Sequence, residues 1–272
     1  MSTDNTSEVY NAYNEWKTGD IDKGIALFYT MYCNKHDYTS THNLGVLILF
    51  ENDFVLGPPS SMEFGPESLL AIDLLRNAEK IHPGKEKNAL ALSLCYYLYG
   101  DFSNSLSVLL KVKPEHHKED FLWMAAANHI AMHKYDQAQL LLSKIINSSP
   151  KESYLFWALF ATIYCKYKSN DDPRSIMPLF RKCVRQIDSE KKNIDPWLMV
   201  DIENMLYGAI PILLLFGESE DYDWLRNTQG ELMTEPEKVL LETQSNSNRE
   251  AVFQEIGHWD CAKEIIFDLF EL

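Results

Sequence analysis

The chain has 272 residues, 46% hydrophobic and 24% charged. That is enough apolar material for one large domain or a repeat array, and it excludes a disordered polyelectrolyte. Formal net charge is −15 with no run of Lys and Arg, which disfavours a nucleic-acid surface and favours solubility and basic partners.

The opening residues, MSTDNTSEVYNAYNEW, are polar and contain no apolar signal region. The longest apolar run, Ala209–Phe216, is far short of the roughly 20 residues that span a bilayer. Neither export nor membrane insertion is expected. The five cysteines, Cys33, Cys95, Cys165, Cys183 and Cys261, are scattered; reduced, buried thiols in a cytoplasmic protein are the expectation. On that reading the sequons at Asn5 and Asn147 are accidental.

Apolar residues recur at three- and four-residue spacing, and no stretch alternates with the period of a strand, so the chain reads as all-α. The first expected helix carries Val9, Tyr10, Tyr13 and Trp16. The second carries Ile25, Leu27, Phe28 and Met31, with Gly24 at the close contact between the two. A second pair follows, Thr41–Phe50 and Pro66–Ile81, the latter offering Ala71, Leu75 and Ala78 before Pro83. Between them, Asn52–Gly65 is a loop by its prolines and glycines. Its Phe54, Val55, Leu56, Met62 and Phe64 are expected to fold back on the array or to meet a partner.

The third unit, near Lys85 to Lys118, has Leu92, Cys95, Tyr96 and Tyr99 on one helix and Ser105, Leu106, Leu109 and Leu110 on the next. The fourth pairs Phe121–Met132 with Gln137–Ile146 and closes at Pro150. The fifth pairs Tyr154–Tyr167 with Ile176–Ile187 across the connector Lys168–Pro173. The period degrades over 188–245. There Asp195–Phe216 reads as one long apolar helix bent at Pro211, paired with Glu220–Leu232, and Glu242–Asn248 is a polar patch. Residues 246–272 read as a last pair, Ala251, Val252, Phe253 and Ile256 facing Ala262, Ile265, Ile266 and Leu269. The run Ile265–Leu272, IIFDLFEL, is either the packed last helix or a helix docking on another subunit. Asp171-Asp172 and Glu218/Glu220/Asp221 are expected to be solvated loop charges.

Four breaks share one design: Gly19-Asp20-Ile21-Asp22, Gly100-Asp101-Phe102-Ser103, His133-Lys134-Tyr135-Asp136 and Gly257-His258-Trp259-Asp260. A small or flexible residue ends a helix, a polar residue follows, an apolar side chain plugs the crevice, and a polar residue caps the next helix. Phe102 and Tyr135 stand 33 residues apart.

These features resemble the tetratricopeptide repeat family, whose pattern is W-x2-L-G-x2-Y, then A-x3-F, then P, on a period of about 34 residues. Leu44-Gly45 with Ile48, then Ala71, Leu75, Ala78 and Pro83, match in the second unit. Leu92-Ser93 with Tyr96, Ser105 and Leu109 match in the third. Ala125-Ala126 with His129, then Ala138, Leu142, Ile145 and Pro150, match in the fourth, and Phe253, Gly257, Ala262, Ile266 and Leu269 in the last. Early Pro114, His133 in place of glycine, and the off-period 188–245 depart from the pattern. The resemblance implies a right-handed α-solenoid of about six to seven helix pairs, a single domain over 1–272, stacked because no hairpin hides its apolar stripe alone.

The resemblance also implies a concave groove lined by the first helix of each unit, gripping a peptide or helix of a protein partner. The groove residues are then His42, Val46 and Phe50; Leu90, Leu94 and Tyr97; Trp123, Ala127 and Ile130; and Trp157, Ala161 and Tyr164. Some members grip acidic chaperone tails with Lys, Arg and Asn. Here Asn43 and Lys87 sit suitably, but Asp120, Trp123 and Met124 stand where the fourth unit would need cations, so such binding is not expected. Cys33, His36 and His42, or His129 and His133, fall short of the four convergent ligands zinc usually takes. The chain has no Gly-rich phosphate loop, no G-x-S-x-G and no H-E-x-x-H, so neither cofactor nor catalysis is expected. The leading expectation is a non-enzymatic adaptor or scaffold, a subunit of a larger complex. The alternative is an acidic inhibitor or immunity-type protein that blocks a basic enzyme, and a helical enzyme ranks behind it.

Overall fold

A computed structural model describes residues 3–53, 66–148, 151–190, 196–243, 251–252 and 268–272. Its described residues form thirteen α-helices and no strand, as the helical periodicity requires. Consecutive helices pack against each other. The chain divides into two compact units, Met1–Asn128 with Ile266–Leu272, and His129–Ile265.

The first unit holds α1 (Thr3–Lys17), α2 (Ile21–Lys35), α3 (Tyr38–Asp53), α4 (Pro66–Ile81), α5 (Glu86–Leu98), α6 (Phe102–Leu109) and the part of α7 (Lys118–Ala131) up to Asn128. The breaks work as capped turns, with one correction. Gly19 and Gly100 take left-handed backbone, and the residue after each is the cap: Asp20 accepts from Lys23 N and Asp101 from Asn104 N. The cap thus precedes the apolar plug rather than following it. At the third break His133 adopts φ +58° in the glycine's place. The fourth break lies outside the described residues, as does 54–65 of the apolar insertion.

Small residues set the helix spacing. A Cβ on Gly24 would stand 2.6 Å from Trp16 Cβ, and one on Gly45 would stand 2.9 Å from Leu75 Cγ. Ala71, Leu75 and Ala78 are fully buried on α4. Each large apolar side chain buried in this way contributes about 1.5–3 kcal/mol. Three buried polar side chains join neighbouring helices: Ser93 meets Ser105 at 2.8 Å and Asn128 donates to Ser105 at 2.8 Å, tying α5, α6 and α7. Leu110, expected to line α6, is instead 84% exposed, because the helix ends at Leu109 and turns. Glu86 holds the approach to α7: its carboxylate accepts the backbone N–H groups of Glu115 and His117 at 2.7 and 2.9 Å. Burial opposes its charge, yet those donors and His116 N keep it below the usual carboxylate range.

The second unit holds the remainder of α7, then α8 (Tyr135–Asn147), α9 (Glu152–Lys168), α10 (Met177–Glu190), α11 (Pro196–Phe216), α12 (Ser219–Thr228) and α13 (Glu235–Thr243). Helix α11 continues through Pro211, and Ala209, Ile210, Ile212 and Leu213 are buried. Helix α13 was not expected. At its start Glu237 accepts from Thr234 N and Thr234 Oγ1 at 2.6 and 2.9 Å, the carboxylate half of a capping box. A further correction concerns Asp221. It is fully buried, not solvated, and accepts from Arg181 Nε at 2.8 Å and Arg185 Nη2 at 3.2 Å while capping α12 through Glu218 N. Arg185 in turn lies over the Trp224 ring at 4.1 Å. Among the cysteines, Cys33 is exposed and Cys95, Cys165 and Cys183 are buried. Burial pushes the Cys165 thiol up to about 12, far from thiolate reactivity.

Candidate peptide-binding site

Residues 268–272, Asp-Leu-Phe-Glu-Leu, are not helical. This departs from the packed last helix expected there; 253–267 lie outside the described residues. The segment belongs to the first unit and is held by four helices of it. Its main chain supplies the handles. Asn43, fully buried on α3, uses its amide both ways: Nδ2 donates to Glu271 O at 2.8 Å and Oδ1 accepts from Glu271 N at 2.9 Å. Lys87 at the start of α5 donates to Phe270 O at 2.6 Å. His42 Nε2 lies 2.7 Å from Leu269 O.

Side chains supply the rest. Phe270 is 3% exposed in a cage of aromatic rings, Tyr13 and Trp16 from α1, Phe28 from α2 and Phe50 from α3, with centroids 5.1–5.8 Å away. Leu269 is fully buried. Tyr38 OH donates to Glu271 Oε1 at 3.0 Å, and Lys87 Nζ lies 3.3 Å from Asp268 Oδ2. Burial and then Glu271 push the Tyr38 phenol well above its ordinary value.

His42 sits at the centre of a fully buried relay. Its Nδ1 is 3.0 Å from Asn88 Oδ1, while Asn88 Nδ2 donates to Leu75 O at 3.1 Å. Both ring nitrogens therefore face oxygen, from Asn88 and from Leu269. A neutral imidazole donates only once, so both contacts are met together only by the charged ring. Burial opposes that charge and lowers the His42 pKa; Asn88, Leu269 O and Glu271 pull the other way, and Lys87 adds to the lowering.

Of the residues expected to line a groove, His42 and Phe50 meet this segment, and Val46, one turn from each, is fully buried on the same helix. Leu90, Leu94, Tyr97, Trp123 and Ala127 are buried within the first unit. Ile130, Trp157, Ala161 and Tyr164 are buried in the second. Trp157 stands 4.8 Å from Phe156 and 5.5 Å from Phe160, and its ring reaches to 3.4 Å of where a Cβ on Gly208 would be. That is a core position. Tyr164 has Tyr135 at 6.5 Å.

Tyr13, Trp16, Phe28, Tyr38 and Asn88 were missed as site residues. Asn43 and Lys87 were noted for their positions and set aside because the fourth unit lacks cations; Asp120 there pairs with His117 at 2.9 Å. The segment's main chain is instead met by one amide, one ammonium and one imidazole. Compared with known proteins, the chain matches no protein-family model and no curated protein.

Proposed function

We propose that the chain is a non-enzymatic adaptor of tetratricopeptide type, a cytoplasmic right-handed solenoid whose concave groove holds a short segment of a protein partner within a larger complex. One observation carries this reading: Asn43, Lys87 and His42, from first helices of two successive pairs, address consecutive main-chain groups of a non-helical segment. Main-chain recognition with a pocket for one side chain is how peptide receptors combine affinity with selectivity. The aromatic cage supplies the buried anchor that dominates such interfaces.

The test is capture from the native cell by the full chain and by an Asn43→Ala/Lys87→Ala variant of unchanged circular dichroism. The adaptor reading expects partners bound by the parent and absent from the variant. Equal recovery by both removes the groove from the function.

A further inference from the structure

We infer that the ligand of this groove is a short acidic–apolar segment centred on phenylalanine, of the order Asp-Leu-Phe-Glu-Leu, and that residues 268–272 are its resident competitor. The inference rests on the adaptor reading and specifies what the groove accepts.

The chain's own segment reports the chemistry. Three consecutive carbonyls, of Leu269, Phe270 and Glu271, and one amide, of Glu271, are addressed by His42, Lys87 and Asn43. None of these bonds depends on side-chain identity, so any extended segment can make them. Selectivity comes from the cage, which takes one aromatic ring, and from the acids on either side. Lys87 meets the first acid and Tyr38 OH the second. The Asp268 side chain is 73% exposed and Leu272 43% exposed.

A segment carried on the same chain competes as an intramolecular ligand, at an effective concentration rather than a bulk one. A partner must therefore offer more contacts than five residues provide, or act when the resident segment has left.

The experiment measures fluorescence anisotropy of a labelled Asp-Leu-Phe-Glu-Leu peptide with the full chain and with its Phe270→Ala variant. Emptying the cage should tighten peptide binding at least about tenfold; adding Asn43→Ala should abolish it, and a peptide with alanine for phenylalanine should bind neither chain. Glu271→Lys, at a partly exposed position, is the second variant, and a smaller gain is expected from it. Equal affinity for parent and variants, or no binding to either variant, overturns the inference. If the peptide fails while Asn43/Lys87-dependent capture of a cellular partner persists, only the ligand class and the competitor role fall. If capture fails too, the adaptor reading falls with them. Parent protein that dimerises with concentration while Phe270→Ala stays monomeric would place the segment on a second copy and overturn the competitor role.

Discussion

His42 is a residue with two oxygens to satisfy and one proton to do it with. Asn88 and the Leu269 carbonyl face its nitrogens, Tyr38 stacks on the ring at 5.5 Å, and Lys87 and Glu271 set the nearby charge. Burial is the largest influence and lowers the pKa below the ordinary histidine value. The unfolded chain then binds the extra proton first, so stability rises with pH across the window. The contribution is complete above about 6.5, the ordinary histidine value, and is lost as pH falls from there towards the folded pKa. Urea midpoints measured from pH 8 to pH 5 should therefore decline in the parent, and the decline should be smaller in His42→Gln. A parent that gains stability on acidification relative to the variant would mean that double donation by the charged ring outweighs burial. Nothing in the local sequence distinguishes this histidine from His36 or His129, because its partners lie 46 and 227 residues away.

At the scale of elements, glycine positions were legible and charge positions were not. Gly24 sits where α1 and α2 touch, as its place among apolar residues implied, and an added methyl would meet Trp16 Cα at 2.9 Å as well as its Cβ. Backbone cannot step aside as a side-chain tip can. Gly24→Ala should therefore cost about 1–3 kcal/mol, the range for overpacking, read as a lower urea midpoint. It should also weaken the segment's seat, because Trp16 is a wall of the cage around Phe270. Unchanged stability would mean that α1 and α2 part freely. Helix Pro66–Ile81 was legible to the residue, since proline suits a first helical turn and the apolar period runs unbroken. Asp221 and α13 were not. The acidic cluster at 218–221 looks solvated in sequence, and its arginines lie 36 and 40 residues upstream. The signal for α13 was present but faint, a Thr-x-x-Glu box with too short an apolar run behind it.

For the whole molecule, charge decides between the two functional readings. The net charge is −15, and long-range fields of that size steer partners by sign. An acidic decoy for a basic enzyme would draw its affinity from that field and lose it as salt screens the charges, over a Debye length that shrinks to about 3 Å at 1 M. A groove reader of acidic segments stands in the opposite position. Its ligand carries the same sign as the chain, so the field repels it on approach. What holds the resident segment is buried Leu269 and Phe270, main-chain hydrogen bonds, the Tyr38 hydroxyl on Glu271 and one ion pair, Lys87 to Asp268, whose acid is largely exposed. Exposed pairs of that kind contribute about 0–1 kcal/mol. Raising salt therefore removes little attraction and relieves the repulsion. Titrating Phe270→Ala with the Asp-Leu-Phe-Glu-Leu peptide from about 50 mM to 500 mM salt, a span that shortens the screening length roughly threefold, should leave affinity level or improved. A steep fall would show that long-range charge carries the binding, and the inhibitor reading would take precedence over the adaptor.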